Sequence, residues 1–228
     1  MTPVKFEVYG TSHITALTLT ALFVLFIVLI GRRLSGKGAD TALSLIIVMV
    51  ILSGMGLKFG YNWYNGKPSY PMQLCDWAAI LMVYVLIFPD NRVFEPAYFW
   101  GLGGTFQALI TPDVKLDFPD IKFFTFFLLH CGVVAGVFYA IFVKRLAVSA
   151  GGVKRVFIIS QLYIAAAIIV NYITGSNYGY LSKKPSSASL LDFLGPWPYY
   201  IIGIEVIGLL VFVILYTPFF ISQRRGEV

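Results

Sequence analysis

The chain has 228 residues, of which 58% are hydrophobic and 12% are charged, and its mean hydropathy is +0.81. Apolar runs of membrane-crossing length recur along it, and no polar stretch is long enough to form a soluble domain. The net charge of +6 comes from Lys and Arg residues that flank these runs. No basic stretch has interleaved aromatic residues, which excludes a nucleic-acid-binding protein.

The sequence predicts an all-α polytopic membrane protein that forms one transmembrane domain over residues 1–228. Because one crossing needs roughly 20 apolar residues, seven spans are predicted. They are Ile14 to Gly31, Thr41 to Leu57, Met72 to Pro89, Phe94 to Thr111, Phe123 to Val143, Val156 to Thr174 and Tyr199 to Ile221. The first span is expected to be retained, because no small-residue cleavage site follows it before Arg32 and Arg33.

The basic residues divide unevenly between the two predicted faces. The loops after spans one, three and five, together with the C-terminal segment, hold ten Lys and Arg residues, including all seven arginines. The other face holds seven basic residues, all lysines. The positive-inside rule therefore predicts an N-terminus outside and a C-terminus in the cytoplasm.

The predicted outer loops are longer and more aromatic than the inner ones. They cover residues 61–71, 112–122 and 175–198. Their aromatic residues are typical of the belts that lie at membrane interfaces. Glycines inside the spans are expected to allow close helix packing; they are Gly54, Gly56, Gly101, Gly103, Gly104, Gly132 and Gly136.

Polar side chains inside the membrane are costly and tend to face the bundle interior or a wet cavity. Several lie in the outer half of the predicted spans. Given the helical rise per residue, the outer half contains Gln73, Cys75 and Asp76 in span three, Gln107 in span four, His130 in span five, Asn171 in span six and Glu205 in span seven. The sequence predicts that all of these groups except Gln107 converge on one cavity.

Cys75 and His130 are the candidate catalytic pair. A thiol is a nucleophile as the thiolate, which a neighbouring imidazole can generate by removing the proton. The alternative is that Cys75 is a small buried apolar residue, as cysteine often is. Cys131 is the poorer candidate, because it directly follows His130 and points to a different side of the helix.

Other chemistries have no matching motif. Span seven contains no Lys for a retinal Schiff base, and the chain has no phosphate-binding loop, dinucleotide fingerprint or HExxH pair. With two histidines in all, His13 and His130, neither a metal site nor a cofactor is expected. The two cysteines predict no disulfide framework.

Several motifs resemble those of the YwaF-like bacterial integral membrane proteins. They are PMQLC at 71–75, GLGG at 101–104 followed by Thr111 and Pro112, His130, the stretch from Asn171 through NYGYL at 177–181 to Lys184 and Pro185, and LDFLGPWP at 191–198 continuing to Glu205. The resemblance runs from about the second span onward. It implies a multi-pass protein of the bacterial plasma membrane.

That bacterial family is similar to animal transmembrane protein 164, an acyltransferase acting on ether phospholipids, and more remotely to the androgen-induced hydrolases of fatty-acid esters. In transmembrane protein 164 the proposed catalytic pair is a cysteine and a histidine on separate helices, which implies these roles for Cys75 and His130. The androgen-induced hydrolases use a threonine nucleophile, with which no threonine here aligns.

Two functional hypotheses follow. In the first, the protein is a lipid acyltransferase or acyl hydrolase with membrane lipids, including a phospholipid substrate, as partners. Its expected substrate-binding residues are Gln73, Asp76, Gln107, Asn171, Asn177, Tyr178, Lys184 and Glu205. In the second, it is a non-enzymatic receptor or carrier that binds a small polar molecule or cation in the outer cavity. Both hypotheses leave the oligomeric state open.

Overall fold

The computed structural model describes residues 4–34, 36–185 and 190–226, and this part of the chain contains helices but no β-strand. The helices are α1 (Thr11–Arg33), α2 (Lys37–Tyr64), α3 (Leu74–Ile87), α4 (Asn91–Trp100), α5 (Phe106–Ile110), α6 (Ile121–Phe142), α7 (Gly152–Thr174) and α8 (Tyr199–Arg224). A π-helical turn, Gly101–Thr105, joins α4 to α5, and two short 3-10 segments, Tyr178–Tyr180 and Leu190–Leu194, lie between α7 and α8.

Each predicted apolar run lies in a helical segment, which confirms the all-helical membrane architecture. Five helices, α1, α2, α6, α7 and α8, are long and apolar enough to cross a membrane. α3 has 14 residues and is shorter. The fourth run is built from α4, the π-helical turn and α5 in succession. Residues 186–189 of the third predicted outer loop lie outside the described residues.

Successive long segments run in opposite directions, so the bundle has two ends. The N-terminal end of the bundle holds the starts of α1, α3, α6 and α8 and the ends of α2, α5 and α7. There the amide of Phe6 donates to the carbonyl of Lys115 at 3.1 Å, and the hydroxyl of Ser12 donates to Asp117 at 2.5 Å. These contacts tie the segment before α1 and the first turn of α1 to the loop before α6.

The C-terminal end of the bundle holds the ends of α1, α3, α6 and α8 and the starts of α2, α4 and α7. A buried carboxylate lies there, Glu95 of α4, which accepts hydrogen bonds from Ser149 and Arg155. A second ion pair joins Lys144 to Asp40 at 2.9 Å. Both clusters connect helices that are distant in sequence.

Glycines bring α2 and α6 into close contact. A Cβ atom on Gly54 would lie 2.5 Å from the backbone nitrogen of Leu129, and one on Gly132 would lie 2.7 Å from the side chain of Ile51. Small residues at such crossings let helix backbones approach where lipid supplies no hydrophobic driving force. The packing expected for these two glycines is therefore present, whereas a Cβ atom on Gly56 would have no neighbour within 4 Å.

A loop that follows α7 folds back over the N-terminal end of the bundle. We call this segment, Gly175–Leu181, the capping loop. The side chain of Asn171 holds it by pairing with the backbone of Tyr178, donating to its carbonyl at 2.9 Å and accepting from its amide at 2.7 Å. The Tyr178 hydroxyl accepts the amide of Tyr70 at 2.9 Å. The capping loop is thereby attached to the segment just before α3.

Candidate functional site

Cys75 lies in the first turn of α3. Gln73 is the N-cap residue, and its side-chain carbonyl accepts the Gly179 amide of the capping loop at 3.1 Å. The amides of a helix N-terminus face an anion favourably, because they carry the positive end of the helix dipole. The Cys75 thiol therefore lies at the positive end of the α3 dipole.

Asp76, the next residue, is fully buried and forms an ion pair. One carboxylate oxygen lies 2.5 Å from the Lys58 ammonium, and the other accepts the Gln73 amide at 3.2 Å. The Lys58 side chain comes from the last part of α2 and retains 26% exposure. Because a buried charge needs a partner, this pair fixes the end of α2 against the start of α3.

His130 lies in the middle of α6, and its two ring nitrogens differ. Nδ1 lies 2.7 Å from the Phe126 carbonyl, which can only accept, so Nδ1 carries the proton and Nε2 has a free lone pair. The ring also stacks on Phe126 with centroids 4.0 Å apart. Within the described part of the chain, no group donates a hydrogen bond to Nε2.

His13 provides the contrast. Its Nδ1 accepts the Tyr9 amide at 2.9 Å, and its Nε2 contacts the Leu109 carbonyl at 2.8 Å. Both nitrogens of this fully buried ring are used. His13 is therefore a structural histidine, while His130 has the protonation pattern of a general base.

The Cys75 thiol has polar neighbours from several helices. The Thr105 hydroxyl at the end of the π-helical turn lies beside it, and the Lys58–Asp76 pair and the Tyr163 hydroxyl are also close. Lys58 also interacts electrostatically with His130. The thiol and the imidazole therefore share an electrostatic neighbour, Lys58. No hydrogen bond of standard geometry joins them.

Three of the predicted site residues build the capping loop. Asn171 and Tyr178 pair as described above. Asn177 closes the following turn, donating to the Lys183 carbonyl at 2.8 Å and accepting the Ser182 and Lys183 amides at 3.0 and 3.1 Å. Their amide and carbonyl groups are occupied by the backbone of the loop, so they shape the site rather than present free polar atoms to it. A direct role in substrate binding stays a prediction.

Three other predicted residues have partners away from Cys75. Gln107 is exposed on α5 and donates to the Thr111 hydroxyl at 3.2 Å. The ammonium of Lys184 lies over the Tyr200 ring, 5.5 Å from its centroid. Glu205 of α8 accepts a hydrogen bond from the exposed Gln161 of α7. The contacts therefore link Gln73, Cys75 and Asp76 closely and leave these three at the periphery.

Sequence reasoning assigned no role to three residues that the structure makes prominent. Lys58 lies just past the predicted end of span two at Leu57, where hydropathy falls. Thr105 follows the glycines of the predicted fourth span and carried no charge to single it out. Glu95 lies one residue inside that span, and an acid within a predicted span is a signal that could have found it.

The second cysteine faces another part of the bundle. Cys131 lies beside Thr20 of α1, whose hydroxyl donates to the Ala16 carbonyl at 2.8 Å. Both cysteines are free thiols. The described residues contain no group of three or more His, Cys, Asp or Glu side chains that could hold a metal ion.

The helices and their apolar surfaces define a multi-pass helical membrane protein. Residues 8–216 match the TMEM164 family, and the chain belongs to this family. An uncharacterized protein of Treponema pallidum (strain Nichols) is 30% identical over 224 residues, which cover 95% of this chain and 91% of that protein. No solved structure matches the chain.

Proposed function

We propose that this protein is a membrane-embedded lipid acyltransferase or acyl hydrolase in which Cys75 is the nucleophile and His130 is the base. The observation that carries the proposal is the free Nε2 lone pair of a buried histidine whose Nδ1 is held by Phe126. Membership of the TMEM164 family supports a membrane protein of this kind. The substrate class is an acyl ester of a membrane phospholipid.

The chemistry needs only these two side chains. His130 Nε2 takes the proton of the Cys75 thiol, and the sulfur attacks the ester carbonyl carbon to form a C–S bond. The tetrahedral intermediate then expels the alkoxide of the lipid, which takes the proton from the imidazolium. An acceptor hydroxyl, from another lipid or from water, gives its proton to His130 and attacks the thioester. The C–S bond breaks and the thiolate recovers the proton.

The Cys75 thiol is surrounded by the Thr105 hydroxyl and the Lys58–Asp76 ion pair. In the proposed mechanism the thiol stays neutral until the ester arrives, when His130 removes its proton.

The test is lipid profiling by mass spectrometry of membranes from cells expressing each variant. Cys75→Ala and His130→Ala should each abolish acyl exchange, and the double variant should be no worse than either alone, because nucleophile and base act as a unit. Cys131→Ala is the matched control and should keep full activity. A hydroxylamine-sensitive acyl adduct should form on Cys75. If wild-type and Cys75→Ala membranes have the same lipid profile and no adduct forms, the enzyme proposal fails and a receptor or carrier role replaces it.

We further propose seven crossings, with the N-terminal end of the bundle facing outward from the bacterial plasma membrane. The asymmetry of the arginines supports this topology. In a chain without native cysteines, single cysteines at Gly38 and Ala150 should be protected from an impermeant thiol reagent in intact cells, and one at Lys67 should react. All three positions are exposed. The opposite labelling pattern would overturn the orientation.

A further inference from the structure

The Thr105 hydroxyl is a buried polar group without a hydrogen-bond partner. Thr105 has 0% exposure, and its Oγ1 makes no hydrogen bond of standard geometry in the described part of the chain. Buried hydroxyls are normally satisfied, and each exception calls for an explanation. Other helical threonines donate to a backbone carbonyl one turn earlier; they are Thr15, Thr20, Thr41, Thr125, Thr174 and Thr217.

The π-helical turn explains why Thr105 differs. A helical threonine commonly bonds to the carbonyl four residues before it, which for Thr105 is that of Gly101. In the π-helical turn, the Phe106 amide donates to the Gly101 carbonyl, five residues earlier. The Gly101 carbonyl is thus directed to the amide one residue later than in an α-helix, and the Thr105 hydroxyl makes no hydrogen bond to it. π-helical turns recur at functional sites.

The Cys75 thiol lies beside the Thr105 hydroxyl, and the π-helical turn packs against α3. We propose that Thr105 is a catalytic hydrogen-bond donor to the Cys75 sulfur, kept free for this role by the π-helical turn. This inference rests on the proposed function, since it assigns the hydroxyl to the moment when the sulfur carries negative charge. The hydroxyl then donates to the thiolate as His130 takes the thiol proton. No bond to Thr105 forms or breaks.

The charged and titratable groups around the sulfur come from four segments. They are Lys58 of α2, Asp76 of α3, Tyr163 of α7 and Tyr180 of the capping loop. These side chains stay unchanged when Thr105 is replaced. If the reactivity of the thiol falls when the hydroxyl is removed and is kept when the hydroxyl is kept, the change is therefore attributable to the hydroxyl.

The experiment measures alkylation of Cys75 in the purified full chain, in lipid nanodiscs and in a Cys131→Ala background. The probe is N-ethylmaleimide, followed by intact mass across a range of pH. Thr105→Val keeps the side-chain shape and removes the donor, so it should slow alkylation about tenfold at neutral pH and move the pH profile up by about one unit. Thr105→Ser keeps the donor and should react within about twofold of the parent.

Thermal unfolding separates a chemical role from a structural one. Because Thr105→Val replaces an unsatisfied buried hydroxyl by a methyl group, its Tm should equal or exceed that of the parent. Thr20→Val is the control, since that threonine lies beside Cys131 and should not affect Cys75. The inference is overturned if Thr105→Val reacts like the parent at every pH, or if Thr105→Val and Thr105→Ser both react slowly and unfold at lower temperature.

The result is independent of the proposed lipid chemistry. If Cys75 is alkylated slowly in Thr105→Val but the protein exchanges no acyl groups, the hydrogen-bond inference stands and the enzyme proposal fails. If the protein exchanges acyl groups and Thr105→Val is alkylated and turns over normally, the enzyme proposal stands and the hydrogen-bond inference fails.

Discussion

Two buried carboxylates, at opposite ends of the bundle, have very different surroundings. Glu95 accepts hydrogen bonds from the amide and hydroxyl of Ser149 and from two nitrogens of Arg155, at 2.7 to 3.2 Å. Asp76 accepts from Lys58 and from the Gln73 amide. Glu95 thus accepts four hydrogen bonds, whereas Asp76 accepts two and directly follows the Cys75 thiol in the first turn of α3.

This difference distinguishes a carboxylate that stabilises the fold from one that lies in the candidate reactive site. A fully bonded carboxylate site has no group left to offer a ligand, so Glu95 serves to tie α4 to α7 and to the loop after α6. Near Asp76, the Cys75 thiol lies beside the Thr105 hydroxyl, which makes no hydrogen bond of standard geometry in the described part of the chain. A buried polar group without a partner calls for an explanation, and a functional role is one. The two ends therefore respond differently to mutation.

The largest loss of stability is expected from Glu95→Ala. It removes a buried carboxylate that accepts four hydrogen bonds and leaves a cavity in its place, so the free energy of unfolding should fall by about 3 kcal/mol, although Arg155, at 41% exposure, can turn to water. Thermal unfolding in nanodiscs measures the loss, and Glu95→Gln, which keeps the shape, should lose less. Cys75 alkylation well below the Tm should be unchanged. A parallel loss of thiol reactivity would show that the two ends are coupled.

The Lys58–Asp76 pair should respond asymmetrically. Lys58→Met leaves a carboxylate that has 0% exposure without a counter-charge, at a cost of about 3 kcal/mol. Asp76→Asn leaves an ammonium that reaches solvent, and should cost about 1 kcal/mol. Alkylation of Cys75 should slow in Lys58→Met and accelerate in Asp76→Asn, because the two charges act oppositely on the thiolate. A larger destabilisation by Asp76→Asn would contradict this account.

Gly54→Ala tests whether the crossing of α2 and α6 positions the site. The added Cβ would lie 2.5 Å from the Leu129 nitrogen, so the helices must separate, and overpacking of this kind costs about 2 kcal/mol. The same separation moves Lys58 away from His130, so acyl exchange should also fall. Gly56→Ala has nothing within 4 Å and should be neutral or stabilising. Equal effects of the two variants would argue against a tight crossing.

The smallest effect is expected at the edge of the capping loop. The Tyr180 hydroxyl donates to Asp113 at 2.9 Å, and Tyr180→Phe should cost about 1 kcal/mol. Burial, reinforced by the Asp113 charge, raises the pKa of Tyr180 above its usual value. The contribution of the Tyr180 hydroxyl to the free energy of unfolding should therefore be constant from about pH 6 to 9. It should decline above about pH 10, where Tyr180 loses its proton in the unfolded chain before it does so in the folded protein. Tyr199→Phe, at an exposed position, should show neither effect.

Apolar patterning predicted the positions of the helices well, because crossing runs are long and nearly free of charge. It placed the end of span two at Leu57, whereas α2 continues to Tyr64. Hydropathy falls at Lys58, but Lys is a good helix former and the helix continues past it. The partner of Lys58, Asp76, is a tertiary contact, which a local pattern does not contain.

Part of the candidate site was also predictable from the sequence. Depth along the helices singled out Cys75, Asp76 and His130 as polar groups in lipid. Depth alone did not separate His130 from His13, since their difference lies in which ring nitrogens are bonded. The π-helical turn was equally inaccessible, because the GLGGT sequence at 101–105 is compatible with ordinary helix and the choice depends on packing against α3, α6 and α8.

In the proposed enzyme, the shortness of α3 bears on how a lipid would reach the thiol. At 1.5 Å per residue, its 14 residues span about 21 Å, less than the roughly 30 Å of a bilayer's hydrocarbon layer. Such a mismatch is relieved by local thinning of the bilayer or by a dip in the protein surface. In the proposed topology, Cys75 then lies near the depth of the ester groups that join acyl chains to their headgroups. A phospholipid could present its ester to the sulfur by lateral diffusion, without being lifted out of the leaflet.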